Sequence, residues 1–289
     1  MVLGKIVAGV LGLVLLAALP ASAASGPVYQ APRAYYLALG DSIAYGFQPD
    51  KAKAGLPPSG FKTGYVDVFA ARLRTIAPRI QVVNYGCPGE STKTFIHGGC
   101  SGRGDVRGLH NAFKGSQLDA ALAFLRVHRG KVSPITLTLW GNDLFDEFSP
   151  ACKGDLVCIR SHAAAGLSGF TSRLASIVGQ LRAAAPKAEI ILTGAWNFDV
   201  EHLAQTDPLF RSIDATISRA AAAGKARVAK MYPVFSPDPV GNPAKAKARL
   251  CARTFICSKG DPHPTDAGYR AMAAAFLAAS GYGHRSYSS

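Results

Sequence analysis

The sequence predicts an α/β fold: five parallel strands with helices covering both faces of the sheet. Two observations carry this. Short apolar, β-branched runs alternate strictly with Ala/Leu-rich amphipathic stretches, and that order favours parallel pairing through helical crossovers. No internal repeat, low-complexity tract or linker divides the chain, and 289 residues suffice for one sizeable core without requiring a second domain.

Taken in order, Tyr36–Leu39 reads as the first strand, ending at Gly40-Asp41-Ser42. Helix Tyr65–Ile76 leads to strand Ile80–Asn84, and helix Ser116–Arg126 to strand Ile135–Leu139. Helix His162–Ala184 precedes strand Glu189–Thr193, and helix Pro208–Ala223 precedes strand Arg227–Met231. The last helix, Thr265–Ala279, has Thr265 as N-cap and Asp266 beside it to complement the dipole. Four stretches exceed ordinary βα connections: Gln48–Phe61, Pro88–Lys114, Phe145–Ile159 and Tyr232–Pro264. They are expected to be irregular and to wall a site. The Ser286–Ser289 tail is expected to fray.

The amino terminus reads as a targeting segment. Lys5 precedes the apolar run Ile6–Leu19, which is short for a bilayer span, and Ala21-Ser22-Ala23 is an A-x-A cleavage site. A secretory signal peptide over residues 1–23 follows as the expectation, with a secreted, extracellular product. Six cysteines fit export and fall into the close pairs Cys87 with Cys100, Cys152 with Cys158 and Cys251 with Cys257. Neighbour pairing is the expected pattern, although fifteen pairings are open to six cysteines. Neither the cysteines nor the seven histidines have metal-site spacing, so no metal is expected.

The net charge of +14 is spread thinly, without dense basic runs or interleaved aromatic platforms, which argues against nucleic acid as a partner. The simplest expectation is a basic, solvated surface on a monomer. An anionic membrane or cell-wall surface is the partner such a charge would favour.

Four blocks carry chemistry. Ser42 follows the first strand, at the carboxyl edge where open α/β sheets place reactive groups. Asn84-Tyr85-Gly86-Cys87-Pro88-Gly89-Glu90-Ser91-Thr92 follows the second strand, and Gly141-Asn142-Asp143 the third. Asp261-Pro262-His263-Pro264 lies near the carboxyl terminus, and the prolines push Asp261 and His263 toward extended backbone. Side chains two apart on extended backbone point the same way, with Cα atoms roughly 6–7 Å apart. Ser42 can thus be a nucleophile, His263 its base and Asp261 the orienting acid. Backbone amides of Ser42 and Gly89 and the Asn142 side chain can supply an oxyanion hole. Asp41 and Asp143 are expected to bond turn amides instead. The Gly-x-Ser-x-Gly elbow and the phosphate-binding glycine patterns are absent.

With Ser42, Gly89, Asn142 and His263 each in its block, the chain resembles the SGNH, or GDSL-type, hydrolases over nearly all of residues 24–289. The three local cysteine pairs resemble those of secreted actinobacterial-type esterases and lipases in that family. The resemblance implies a single domain, a flavodoxin-like three-layer α/β/α sandwich, and ester hydrolysis through an acyl-enzyme without cofactor. It also implies that each disulfide adjoins a catalytic block. One departure stands out: the family usually places its aspartate three residues before the histidine, where this chain has Gly260. Asp261 or a backbone carbonyl near Gly260 is then the orienting group. A lipid ester is the first-choice substrate. Deacetylation of a polysaccharide is the alternative, and a non-catalytic wall- or lipid-binding protein on a hydrolase scaffold the reading from another class.

Overall fold

The computed structural model describes residues 26–145, 150–153 and 155–282. The expected signal peptide and the expected frayed tail lie outside them. Five strands, β1 (Tyr35–Gly40), β2 (Gln81–Asn84), β3 (Val132–Thr138), β4 (Ile190–Thr193) and β5 (Arg227–Ala229), form one parallel sheet in the order β2-β1-β3-β4-β5. Register follows from burial. Leu37 pairs with Val83 and Ile135, Ile135 with Ile190, and Leu192 with Val228. Every residue of β3 and β4 is buried, as expected when helices cover both faces.

The principal helices are α1 (Ser42–Tyr45), α2 (Tyr65–Arg74), α3 (Thr92–His97), α4 (Gln117–Val127), α5 (Leu156–Ala184), α6 (Leu203–Ala223), α7 (Pro243–Arg253) and α8 (Asp266–Ser280). On one face α2 packs against α8; on the other α4, α5 and α6 pack side by side. This is the three-layer α/β/α sandwich. Its core joins Tyr65 stacked on Phe276, with ring centroids 4.4 Å apart, to Tyr36 and Tyr65, whose hydroxyls both meet Thr136 Oγ1 at 2.9 and 3.2 Å. Among the described residues no helix is long and apolar enough to cross a membrane.

Several expected boundaries move. Helix α5 starts at Leu156 rather than His162, because the Asp155 side chain accepts the amides of Val157 and Cys158 at 2.9 and 3.1 Å. Helix α6 starts at Leu203, not Pro208. Burial of Leu203, Thr206 and Asp207 outweighs the backbone bond forfeited at the proline. The stretch Tyr232–Pro264 is not irregular as expected. It holds α7, capped by Asn242 with Pro243 at its first position, and then a two-stranded antiparallel pair, β6 (Thr254–Phe255) with β7 (Asp261–Pro264). Pro88–Lys114 likewise holds α3, started by a reciprocal Ser91–Thr94 capping box. Gln48–Phe61 contains a helical turn at Pro49–Lys53 and a 3₁₀ turn at Pro58–Phe61.

The three disulfides pair nearest neighbours: Cys87–Cys100, Cys152–Cys158 and Cys251–Cys257.

Candidate active site

The strand order reverses direction at β1/β3, and the crevice outside the carboxyl ends of these strands is where this topology places ligands. Ser42 enters it at the start of α1. Gly40 allows the preceding turn, because its φ is +125° and a Cβ there would lie 2.1 Å from the Thr138 carbonyl oxygen. The buried Asp41 caps α1. Its Oδ1 accepts from the Ile43 amide at 2.9 Å and the Thr138 hydroxyl at 3.0 Å, tying the ends of β1 and β3 together. Burial pushes the Asp41 carboxyl up to about 6.

His263 arrives on β7. Its Nε2 is 2.8 Å from Ser42 Oγ, and its Nδ1 is 2.7 Å from Asp261 Oδ1. The same Oδ1 accepts the His263 backbone amide at 2.8 Å. Burial alone would raise the Asp261 carboxyl. The hydrogen bonds and charge of His263 outweigh that and hold it below the ordinary value. The ring of Phe47 packs against the His263 ring with centroids 4.7 Å apart.

Gly89 and Asn142 complete the crevice. Gly89 has φ +75°, and a Cβ there would lie 2.4 Å from both the Gly102 amide nitrogen and Ser101 Oγ. Only glycine fits that approach, which the Cys87–Cys100 bridge closes. Asn142 sits in the helical turn Gly141–Asp143, and its Nδ2 donates to the Glu90 carbonyl at 2.9 Å. Among the described residues the amides of Ser42 and Gly89 have no acceptor within the protein. Ser42, Gly89, Asn142 and His263 all line one open cavity of about 260 Å³. Asp143 faces away. It accepts the Thr92 amide at 2.9 Å and the Thr92 hydroxyl and lies 3.5 Å from Arg173, while burial pushes its carboxyl up to about 6.

The fold therefore brings Ser42, Gly89, Asn142, His263 and Asp261 to one place. Two groups escaped the sequence reading. Gln117 of α4 donates through Nε2 to both Gly40 O (2.9 Å) and Glu90 Oε2 (2.7 Å), and its Oε1 accepts the Gly40 amide at 2.6 Å. It clamps the strand before Ser42 to the loop carrying Gly89. Trp140, Trp196 and Phe198, beyond β3 and β4, wall a second cavity beside Ser42. The signal available was position: Trp196-Asn197-Phe198 follows a strand on the same sheet edge as the other blocks. Cys87, Glu90 and Cys100 form the one metal-like grouping among the described residues, but both sulfurs are held in a disulfide.

The profile of the GDSL-like lipase/acylhydrolase family matches residues 38–271. The chain belongs to this family. It is a carboxylic ester hydrolase, with Ser42, Gly89, Asn142 and His263 all inside the matched span. None of the curated proteins matches it in sequence. Solved structures share its fold at low identity. A GDSL-like lipase from Parabacteroides merdae is 15% identical, with a TM-score of 0.56 over 88% of this chain and 99% of that one. An acetyl xylan esterase from Geobacillus stearothermophilus is 18% identical, with a TM-score of 0.56 over 87% and 96%. A lipase from a goat rumen metagenome is 18% identical, with a TM-score of 0.57 over 85% and 96%.

Proposed function

We propose that the chain is a secreted serine esterase working through an acyl-enzyme, with Ser42, His263 and Asp261 as its triad. The observation that carries this reading is the continuous hydrogen-bonded line from Ser42 Oγ through the His263 ring to Asp261, at 2.8 and 2.7 Å. With Nδ1 protonated and bonded to Asp261, Nε2 is free to take the serine proton. Ser42 Oγ attacks the ester carbonyl carbon while its proton passes to Nε2. The carbonyl oxygen becomes an oxyanion, held by the amides of Ser42 and Gly89 and by the second N–H of Asn142. Collapse breaks the carbon–oxygen bond to the alcohol, which leaves with the proton from Nε2. Water, deprotonated in turn by Nε2, attacks the acyl-serine, and collapse releases the acid and restores Ser42.

Export is part of the proposal. The leader through Ala23 and the three disulfides support an extracellular, oxidising location, with residues 24–289 as a single domain. The basic, monomeric surface is then suited to anionic lipid headgroups or wall polymers.

The test compares wild type and Ser42→Ala on p-nitrophenyl acetate, with a fluorophosphonate label located by mass spectrometry. Turnover and labelling at Ser42, both lost in the variant, are expected. Equal hydrolysis by the two proteins would refute the assignment.

A further inference from the structure

We infer that this esterase is built for short acyl chains: the acyl half of the ester enters a narrow aromatic pocket beside Ser42, and the alcohol half occupies the wider, more open cleft. The inference rests on the serine-esterase reading and adds the substrate class to it. Ser42, Asn142 and His263 line both cavities, so an ester carbonyl seated over Ser42 sends its two substituents in different directions.

The pocket measures about 90 Å³ and is walled by Ile43, Trp140, Phe145, Trp196 and Phe198. A cavity of ~150 Å³ accommodates benzene, or ~25 Å³ per carbon. The pocket therefore takes about three or four carbons. The walls formed by Trp196 and Phe198 are held in place by aromatic rings packed against them. Trp196 stacks on Phe235 at 4.6 Å and meets Trp140 edge-on at 4.9 Å, and Phe198 meets Phe210 edge-on at 5.0 Å. Trp196 itself is only 3% exposed. Interiors at this packing density do not open for added methylenes without strain.

The other cavity, of about 260 Å³, has Ser101 and Asp105 on its lining, both exposed to solvent. Catalysis assigns the halves. The alcohol leaves first and water must replace it while the acyl group stays attached to Ser42. The wider, more open cleft suits the group that exchanges, and the narrower aromatic pocket suits the group that stays. A solvated, hydroxyl-bearing alcohol fits the cleft that carries Ser101 and Asp105. A long fatty acyl chain outgrows the aromatic pocket.

The experiment measures kcat/KM for p-nitrophenyl acetate, butyrate, octanoate and palmitate with the full, oxidised protein, alongside Ser42→Ala, Trp196→Leu and Phe145→Ala. From acetate to butyrate, kcat/KM is expected to rise by about fourfold per methylene. Octanoate and palmitate are expected to fall at least about tenfold below butyrate, since the extra carbons have no room. Trp196→Leu should raise the octanoate-to-butyrate ratio at least about tenfold. Phe145→Ala, at the half-buried mouth, carries the same readout should the tryptophan variant fail to fold. Wild type acting on octanoate as fast as on butyrate, or an unmoved ratio in a folded variant, would overturn the inference and leave the serine-esterase reading intact. Absence of Ser42-dependent turnover on every ester would overturn that reading and the inference with it.

Discussion

Asp261 Oδ1 accepts two hydrogen bonds from His263 at once, from the ring Nδ1 at 2.7 Å and from the backbone amide at 2.8 Å. The carboxylate therefore fixes both the ring and the peptide that carries it. This aspartate stands two residues before the histidine rather than three. The spacing works because both lie on the short strand β7, where alternate side chains share a face. Gly260, at the third position, adopts the left-handed backbone that ends the preceding turn.

Asp261→Asn should keep the fold and lower kcat by roughly 10²- to 10⁴-fold with little change in KM, because the imidazole loses its orienting charge and favours the wrong tautomer. Steady-state kinetics on p-nitrophenyl acetate check this. Near-normal turnover would transfer the orienting role to a main-chain carbonyl.

Gly89→Ala should damage activity and stability together. Its Cβ would meet backbone 2.4 Å away in a loop closed by Cys87–Cys100, so the Gly89 amide must shift from the site. A loss of about 10²- to 10³-fold in kcat is expected, the usual cost of one oxyanion donor. Asn142→Ala should lose a similar factor, and it also releases the Glu90 carbonyl. A folded Gly89→Ala protein with wild-type kcat would exclude that amide from the reaction.

Glu90 should make stability depend on pH. Burial pushes its carboxyl from 4.5 up to about 7. Below pH 4.5 the group is protonated whether the chain is folded or not. Between 4.5 and 7 the unfolded chain ionises it while the folded protein keeps the proton, so stability falls as pH rises through this window. Glu90→Gln removes that contribution, and a plot of Tm against pH should become shallower between these limits. An unchanged slope would show that Glu90 does not hold its proton there.

Reduction should cost the enzyme its site before its sheet. Each bridge spans a short loop, 13 residues for Cys87–Cys100 and 6 for each of the others, and contributes about 2–3 kcal/mol. The first also holds the loop bearing Gly89. Dithiothreitol, or Cys87→Ser with Cys100→Ser, should lower Tm and reduce kcat, while far-ultraviolet circular dichroism keeps its α/β shape. Loss of Tm with undiminished kcat would separate this bridge from the site.

Alternating apolar and amphipathic segments determined the parallel sheet, because period and order are local properties of the chain. The proposed reactive residues were legible for a related reason: Ser42, Gly89 and Asn142 each follow a strand, and parallel strands put all their carboxyl ends on one edge. His263 announced itself through the prolines that bracket it. The helix α7 is also written locally, in Asn242-Pro243 and the Ala/Lys run behind it, within a connection whose length alone suggests a loop. Other features belong to the tertiary structure alone. Gln117 is an ordinary helix residue until packing of α4 places its amide between Gly40 and Glu90. Trp140, Trp196 and Phe198 read as three more apolar residues until β3 and β4 pair and set their rings around a space of about 90 Å³. The size of that space depends on Phe210 and Phe235 standing behind them, contacts between elements distant in sequence. Local pattern thus determined which candidate residues the chain carries at the sheet edge, and packing across the sheet decided the size and lining of the space beside them.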